Sequence, residues 1–173
     1  NNKGHKDDVT DADSPWIWER KFEVDSLCYP LWLAQKYAEE TGDYSVYDDS
    51  FRQALGRILD TFETVQSHAE KSTYFHSRPL YPQFPTLSNG GKGGPVGKTG
   101  LIWNGYRPSD DVCEYGYLIP SNMFAVVVLR WLLAHTLETG TAAYLLRMER
   151  LCNQIEKGLD DFAIVQHPKF GRI

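Results

Sequence analysis

Two stretches of this chain repeat one pattern, and that pattern narrows the fold more than any other feature. "LAQKYAEETGD" is followed by a helical segment ending "VQSH", and "RWLLAHTLETGT" by one ending "VQHP", with the two ETG turns 98 residues apart. Each unit is a more apolar helix, a tight glycine turn, then an amphipathic helix. That is an αα-hairpin. One hairpin cannot bury its own apolar face, so such units stack as inner and outer helices. The spacing predicts four helices. The first covers about 26–40, where Leu27, Cys28, Leu31, Ala34 and Ala38 recur at helical period, with Pro30 near its opening turn and Gly42 as its stop. The second covers about 49–68, with Phe51, Leu55, Ile58, Phe62 and Val65 as one stripe. The third starts after Pro120 with Ser121 as N-cap and runs to Gly140. It is apolar nearly all round from Met123 to Ala134, which predicts burial on most sides. The fourth runs from Thr141 to about Val165, with Tyr144, Met148, Leu151, Ile155, Leu159 and Phe162 on one face.

Between the hairpins, residues 69–119 show no sustained helical period, and a loop that long in a compact domain is usually functional. Its pieces "STYFHS" and "TGLIW" are strand-like and are candidates to pair as a small β-hairpin. The run "NGGKGGPVGKTG" resembles a phosphate loop only superficially. The Walker pattern needs glycine five residues before Gly97, where Lys92 stands, and no apolar strand precedes the run. A flexible surface loop, placed to act as a lid, is the better reading.

Charge and composition exclude whole classes. With 18 basic and 23 acidic residues, net −5 and no basic stripe, nucleic acid is a poor partner. No run of 18 apolar residues exists, so no membrane partner is expected. Cys28, Cys113 and Cys152 form no CxxC pair, and no signal-peptide pattern opens the chain, so reduced thiols and a cytoplasmic location are expected. Residues 1–13 read as a flexible polar segment, and 14–173 as the folded part. The five histidines lack metal-ligand spacing, and neither a metal nor a cofactor is expected, though His76 in "YFHSRP" stays a weaker ligand candidate. Cys113 sits among acids that would raise its pKa, so a small buried filler is expected there rather than a nucleophile.

The chemistry concentrates in "TGLIWNGYRPSDDVCEYGYLIPSNMFA", residues 99–125. Trp103, Tyr106, Arg107, Asp110, Asp111, Glu114, Tyr115 and Tyr117 fall within 15 residues there. Aromatic faces stack on the C–H faces of pyranose rings, while carboxylates and arginine pair with vicinal hydroxyls. Hydrolysis of a glycoside then needs two carboxyl groups, one held protonated. Asp110 and Asp111 are adjacent, so they project differently and can divide the work, one as acid with a pKa raised by burial and its neighbour's charge. The bland alternative for "SDD" is an Asx turn before a helix. A second cluster, "SPWIWERKFEVDS", places Trp16, Trp18, Glu19, Arg20, Glu23 and Asp25 before the first helix. Both clusters precede inner helices and are expected to converge at one end. Glu19, Arg20 and Glu23 serve equally well as structural ion pairs.

The segments "SPWIWERKFEVDSLCYPLWLA" and "TGLIWNGYRPSDDVCEYGYLIPSNMFAVVVLR" resemble the metal-independent exo-α-1,6-mannosidases of glycoside hydrolase family 125. The likeness runs from Ser14 to the closing "FGRI". It departs at Tyr106, Asn104 and Val112, where Phe, Ser and Ala are expected. The resemblance implies an all-α fold, part of an (α/α)6 toroid, and an inverting single displacement with an aspartate acid and a glutamate base. The acid falls on Asp110 or Asp111, with Asp111 preferred. The base lies beyond this chain, and Glu114 and Glu23 do not take its place. Trp18, Glu19, Arg20, Asp25, Arg107, Tyr115 and Asn122 are implied to line or support the sugar pocket, and Trp103 joins them from the aromatic cluster. A toroid holds twelve helices and four are read here, so the chain alone is expected to hydrolyse little. Its exposed inner-helix faces would favour self-association. The expected partner is an α-mannoside oligosaccharide. Two rival readings stay open: a non-catalytic helical-hairpin module for carbohydrate binding or assembly, and a toroid glycosidase of different sugar specificity.

Overall fold

A computed structural model of the chain describes residues 20–78 and 83–173. The polar opening segment and Trp16, Trp18 and Glu19 lie outside the described residues. Four long helices are present: α1 (Val24–Thr41), α2 (Asp49–Val65), α3 (Ile119–Ala134) and α4 (Leu145–Phe162). α3 packs most heavily on α4 and on α1, so α1 and α3 are the inner neighbours. Leu55, Leu59 and Phe62 of α2 share one core with Leu129 and Leu132 of α3 and with Met148, Leu151 and Ile155 of α4. Each of these is an apolar residue at helical spacing, which is why the stripes read from the sequence become the buried faces. Among the described residues no helix is long and apolar enough to cross a membrane.

The helix ends depart from expectation for identifiable reasons. α1 starts two residues early, at Val24, because its first N–H is satisfied from a distance. The Asn104 side-chain oxygen accepts from the Val24 amide at 2.6 Å, across 80 residues. Pro30 is therefore interior, where it withholds one backbone bond. Gly42 does stop α1, at φ 69°, with its N–H on the Ala38 carbonyl at 2.9 Å. α2 opens on Asp48, whose carboxylate accepts from the Phe51 amide at 2.8 Å, and ends at Val65 rather than His68. His68–Lys71 forms a separate single turn.

Ser121 is not an N-cap. α3 begins at Ile119 with Pro120 in its first turn, and the Ser121 hydroxyl donates to Asp25 at 3.2 Å. Nor does α3 continue to Gly140. It breaks at His135 (φ −117°, ψ 30°), whose ring stacks on Trp131 with centroids 4.0 Å apart, and a separate turn, Thr136–Thr139, completes the distance. α3 is also open on one side: Met123 and Val127 are exposed, as are Tyr29, Trp32 and Leu33 on α1. α4 is led in by a 3-10 turn, Ala142–Tyr144, and stops at Phe162. A short antiparallel pair follows, β1 (Gln166–His167) with β2 (Gly171–Arg172).

The pieces "STYFHS" and "TGLIW" do not pair with each other. Their backbone bonds go elsewhere: the His76 amide to the Gly91 carbonyl at 2.9 Å, and the Ile102 amide to the Asn122 side chain at 2.7 Å. The glycine-rich run is not a loose lid but a strut. His68 bonds the Lys92 carbonyl at 2.9 Å, Tyr117 donates to the Gly97 carbonyl at 2.6 Å, and Lys98 pairs with Glu70 at 2.9 Å.

Candidate active site

The aspartate segment is a tight hairpin rather than an Asx turn before a helix. Tyr106 and Val112 face each other in an antiparallel bridge. The Arg107 amide bonds the Asp111 carbonyl at 2.8 Å, and the Asp110 amide bonds the Arg107 carbonyl at 2.9 Å. Pro108 sets the first corner, and Asp110 closes the turn in the left-handed region at φ 68°, where a short polar residue is tolerated. The sequence RPSDD thus puts both carboxylates on an exposed tip.

The root of this hairpin is joined to the entry of α1. The Phe22 carbonyl accepts from the Gly105 and Tyr106 amides at 3.2 and 3.1 Å, beside the Asn104 contact to Val24. Asn122 braces the same wall from α3, accepting from Ile102 and donating to the Ile102 and Leu118 carbonyls at 3.1 Å. It is fully buried and supports the site without facing it. Trp103 does not line a pocket either. At 1 % exposure it lies between the Phe22 and His68 rings, with centroids 5.8 and 3.6 Å away and planes within 5°. Burial pushes the His68 pKa below its ordinary value, so the ring beside Trp103 is held neutral.

A cleft of about 400 Å³ opens where the N-termini of α1 and α3 meet the hairpin. Asp25, Tyr29, Arg107, Ser109, Ser121 and Phe124 are among its walls. Tyr29 and Phe124 meet edge to face at 5.2 Å. Arg107 pairs with Asp111 at 2.9 Å, and the Ser109 hydroxyl donates to the same carboxylate oxygen at 3.0 Å. Asp110 is paired instead with Lys21. Burial, reinforced by Asp25 and Asp110, pushes Glu23 above the usual carboxylate range against the Ser26 hydroxyl and Lys21, which oppose it.

Of the expected site residues, Asp25 and Arg107 line the cleft, Asp111 adjoins it through Arg107 and Ser109, and Asp110 is held on Lys21. Arg20 does not join them. It borders a separate cleft of about 430 Å³ with Asp60, Thr64, Lys71 and Tyr74, and its guanidinium lies 5.9 Å from the Phe75 ring centroid. That cleft is slightly larger but gathers no carboxylate pair. Tyr115 is 83 % exposed on the far limb of the hairpin, and Glu114 is exposed beside it. Trp18 and Glu19 fall outside the described residues. His76 is fully buried, within 2.7 Å of the Tyr106 hydroxyl, so it is part of the wall's interior. Lys21, Tyr29 and Phe124 were not singled out by the sequence, and Ser121 was read only as a helix cap. Tyr29 and Phe124 lie one turn into α1 and α3, and that helical register was the available signal.

The cysteines are buried and unpaired. Burial pushes the Cys28 thiol up to about 12 and Cys152 to about 11, and it raises Cys113 too, where the neighbouring Arg107 opposes. Cys113 is thus filler, through burial rather than through its acidic neighbours. Among the described residues, no three His, Cys, Asp or Glu side chains gather as a metal site would need.

Chemically, the cleft offers an arginine and two serine hydroxyls for sugar hydroxyls, aromatic edges for C–H faces, and carboxyls at its rim. Comparison with known proteins gives the family. The model of the metal-independent α-mannosidase family, GH125, matches residues 1–173. The meiotically up-regulated gene 157 protein of Schizosaccharomyces pombe is 34 % identical over 183 residues, which is 100 % of this chain and 36 % of that protein. A metal-independent α-mannosidase from Streptococcus pneumoniae, solved in a non-productive complex with α-1,6-mannobiose, superposes with a TM-score of 0.84 at 41 % identity, covering 91 % of this chain and 37 % of that one. The chain spans little more than a third of both relatives. Its two hairpins correspond to part of the helical toroid of that enzyme.

Proposed function

Because the chain belongs to the GH125 family of metal-independent α-mannosidases, we propose that the complete protein is an exo-acting α-1,6-mannosidase. It hydrolyses with inversion, and this chain contributes the acid side of the site. The observation that carries this reading is the RPSDD hairpin tip, whose Asp111 carboxylate is held by Arg107 and Ser109, two residues that line a cleft with Asp25. The 41 % identical relative held with α-1,6-mannobiose supports the substrate class.

In this scheme Arg107, Ser109 and Ser121 orient the mannose hydroxyls, and the edges of Tyr29 and Phe124 border its C–H face. Asp111 gives its proton to the glycosidic oxygen as the bond from that oxygen to the anomeric carbon breaks. A water adds to the opposite face of the same carbon, and its proton passes to a carboxylate base. An inverting pair stands about 6.5–9.5 Å apart to seat that water. The base belongs to the part of the protein beyond this chain, so the segment alone turns over little substrate. The three buried thiols suit a reducing compartment, and we place the protein in the cytosol.

The test is substitution in the complete protein, assayed on α-1,6-mannobiose. Asp111→Asn lowers turnover by at least about a hundredfold while sugar binding survives, as loss of a general acid does. Activity retained in both Asp111→Asn and Asp110→Asn would overturn the assignment.

A further inference from the structure

A third cleft, of about 380 Å³, lies where the segment leading to the hairpin crosses the two outer helices. Gln66 and Ser67 stand just past the end of α2, Gln154, Lys157 and Phe162 belong to α4, and Thr99 closes the wall between them. Two glycines let that segment lie directly on α4. A Cβ on Gly100 would stand 2.6 Å from the Gln154 carbonyl oxygen, and one on Gly158 would stand 2.5 Å from that of Thr99. Gln66 fastens the segment from the other side, donating to the Gly100 carbonyl at 2.5 Å. The wall is therefore set before anything binds, which lowers the ordering cost of binding. Its charges are balanced: Lys157 pairs with Asp161 at 2.6 Å, and Lys98 pairs with Glu70 at 2.9 Å. What remains for a ligand is the Ser67 and Thr99 hydroxyls, the exposed Gln154 carboxamide, and the Phe162 ring, 57 % exposed.

We propose that this cleft is a second, non-catalytic sugar-binding site, which holds a part of the oligomannoside distant from the bond being cleaved. This deepens the mannosidase reading above and rests on it. Hydroxyls and a carboxamide both donate to and accept from sugar hydroxyls, and an exposed ring offers a face for C–H groups. With each lysine already paired to a carboxylate, no spare positive charge is left to select a phosphate or an acidic ligand. Both clefts are built on one braced segment. Thr99 and Gly100 wall this one and Arg107 and Ser109 the catalytic one, while Leu101, Ile102, Trp103 and Tyr106 between them are at most 1 % exposed. Eight residue steps from Thr99 to Arg107, at up to about 3.6 Å each, put the facing walls at most about 29 Å apart. A sugar chain anchored in the catalytic cleft meets the second site at high effective concentration. A weak contact there raises the affinity for long chains and leaves a disaccharide untouched.

The experiment compares α-1,6-mannobiose with linear α-1,6-mannohexaose as substrates of the complete protein. Wild type is set against Gln154→Arg, which fills the cleft from α4, and Phe162→Ser, which removes the ring. Both positions are exposed, and either variant decides the matter if the other does not fold. Wild type is expected to show a KM for the hexaose lower by about fivefold or more than for the disaccharide. Each variant should raise the hexaose KM by roughly 3- to 10-fold, with the mannobiose KM within about twofold and kcat on both substrates unchanged. A loosened fold would instead move both substrates together. Equal KM shifts on the two substrates, no shift on either, or a wild type that handles the hexaose no better than the disaccharide would overturn the proposal while the mannosidase reading stands. Wild-type protein that releases no mannose from either substrate would overturn that reading, and this proposal with it.

Discussion

Trp103 is the residue on which sequence chemistry and structure assign different work, and replacing it separates them. The ring is 1 % exposed and lies between Phe22 and His68, and its N–H is buried with no acceptor among the described residues. Trp103→Ala removes the whole filler, at a cost of about 3–5 kcal/mol. If the hairpin pair melts as a unit of this size, that is a fall of roughly 6–20 °C in Tm, at about 2–4 °C per kcal/mol. Trp103→Phe keeps a ring between the two neighbours and deletes the unsatisfied N–H, whose burial itself costs about 1–3 kcal/mol, so the lost ring volume is largely offset. Thermal melting and Michaelis kinetics on both variants of the complete protein read the outcome. The Phe variant should keep KM within about twofold and melt within a few degrees of wild type. A KM raised tenfold or more by Trp103→Phe, with Tm unchanged, would show that the indole contacts sugar and would refute the buried-filler reasoning.

Other consequences follow from neighbouring contacts. Asn104→Ala leaves the Val24 N–H and the Tyr106 carbonyl without their buried partner, and should cost about 2–4 kcal/mol, read as a shift in denaturation midpoint with little change in KM. The His68 pKa is lowered by burial, so the unfolded chain binds a proton that the folded one refuses. Stability should therefore fall as pH drops below about 6.5, and melting curves of His68→Gln should lose that part of the pH dependence. The chain alone presents Tyr29, Trp32, Leu33, Met123 and Val127 to solvent, and should self-associate or bind a hydrophobic dye where the complete protein does not, as light scattering and dye fluorescence would register.

The hairpin architecture was legible because it follows from periodicity. Phe51, Leu55, Phe62 and Met148, Leu151, Ile155 recur at helical spacing, and burial of those stripes is what aligns the helices. The Asp48 cap and the Gly42 stop are local signals, and the Gly42 stop was read correctly. Helix starts governed by distant partners were not readable. Asn104 satisfies Val24 across 80 residues, and Ser121 answers Asp25 across 96, so no window of sequence shows either. The break at His135 likewise depends on a ring stacked on Trp131. At the site, the residue types pointed to sugar chemistry, but type does not give direction. Trp103 and Asn122 face inward, Arg20 faces another cleft, and Tyr115 faces water. Lys21 passed unnoticed as one more charge in "ERKFEV" because its partner is 89 residues away.

The stereochemistry of the first product bears most directly on the assignment. Proton NMR of α-1,6-mannobiose mixed with the complete protein resolves the anomeric signals before mutarotation scrambles them. An inverting site, with the acid on this hairpin and the base elsewhere in the chain, releases β-mannose first. Release of α-mannose first would mean retention through a closer carboxyl pair, about 5 Å apart, and would contradict the division of the site proposed here.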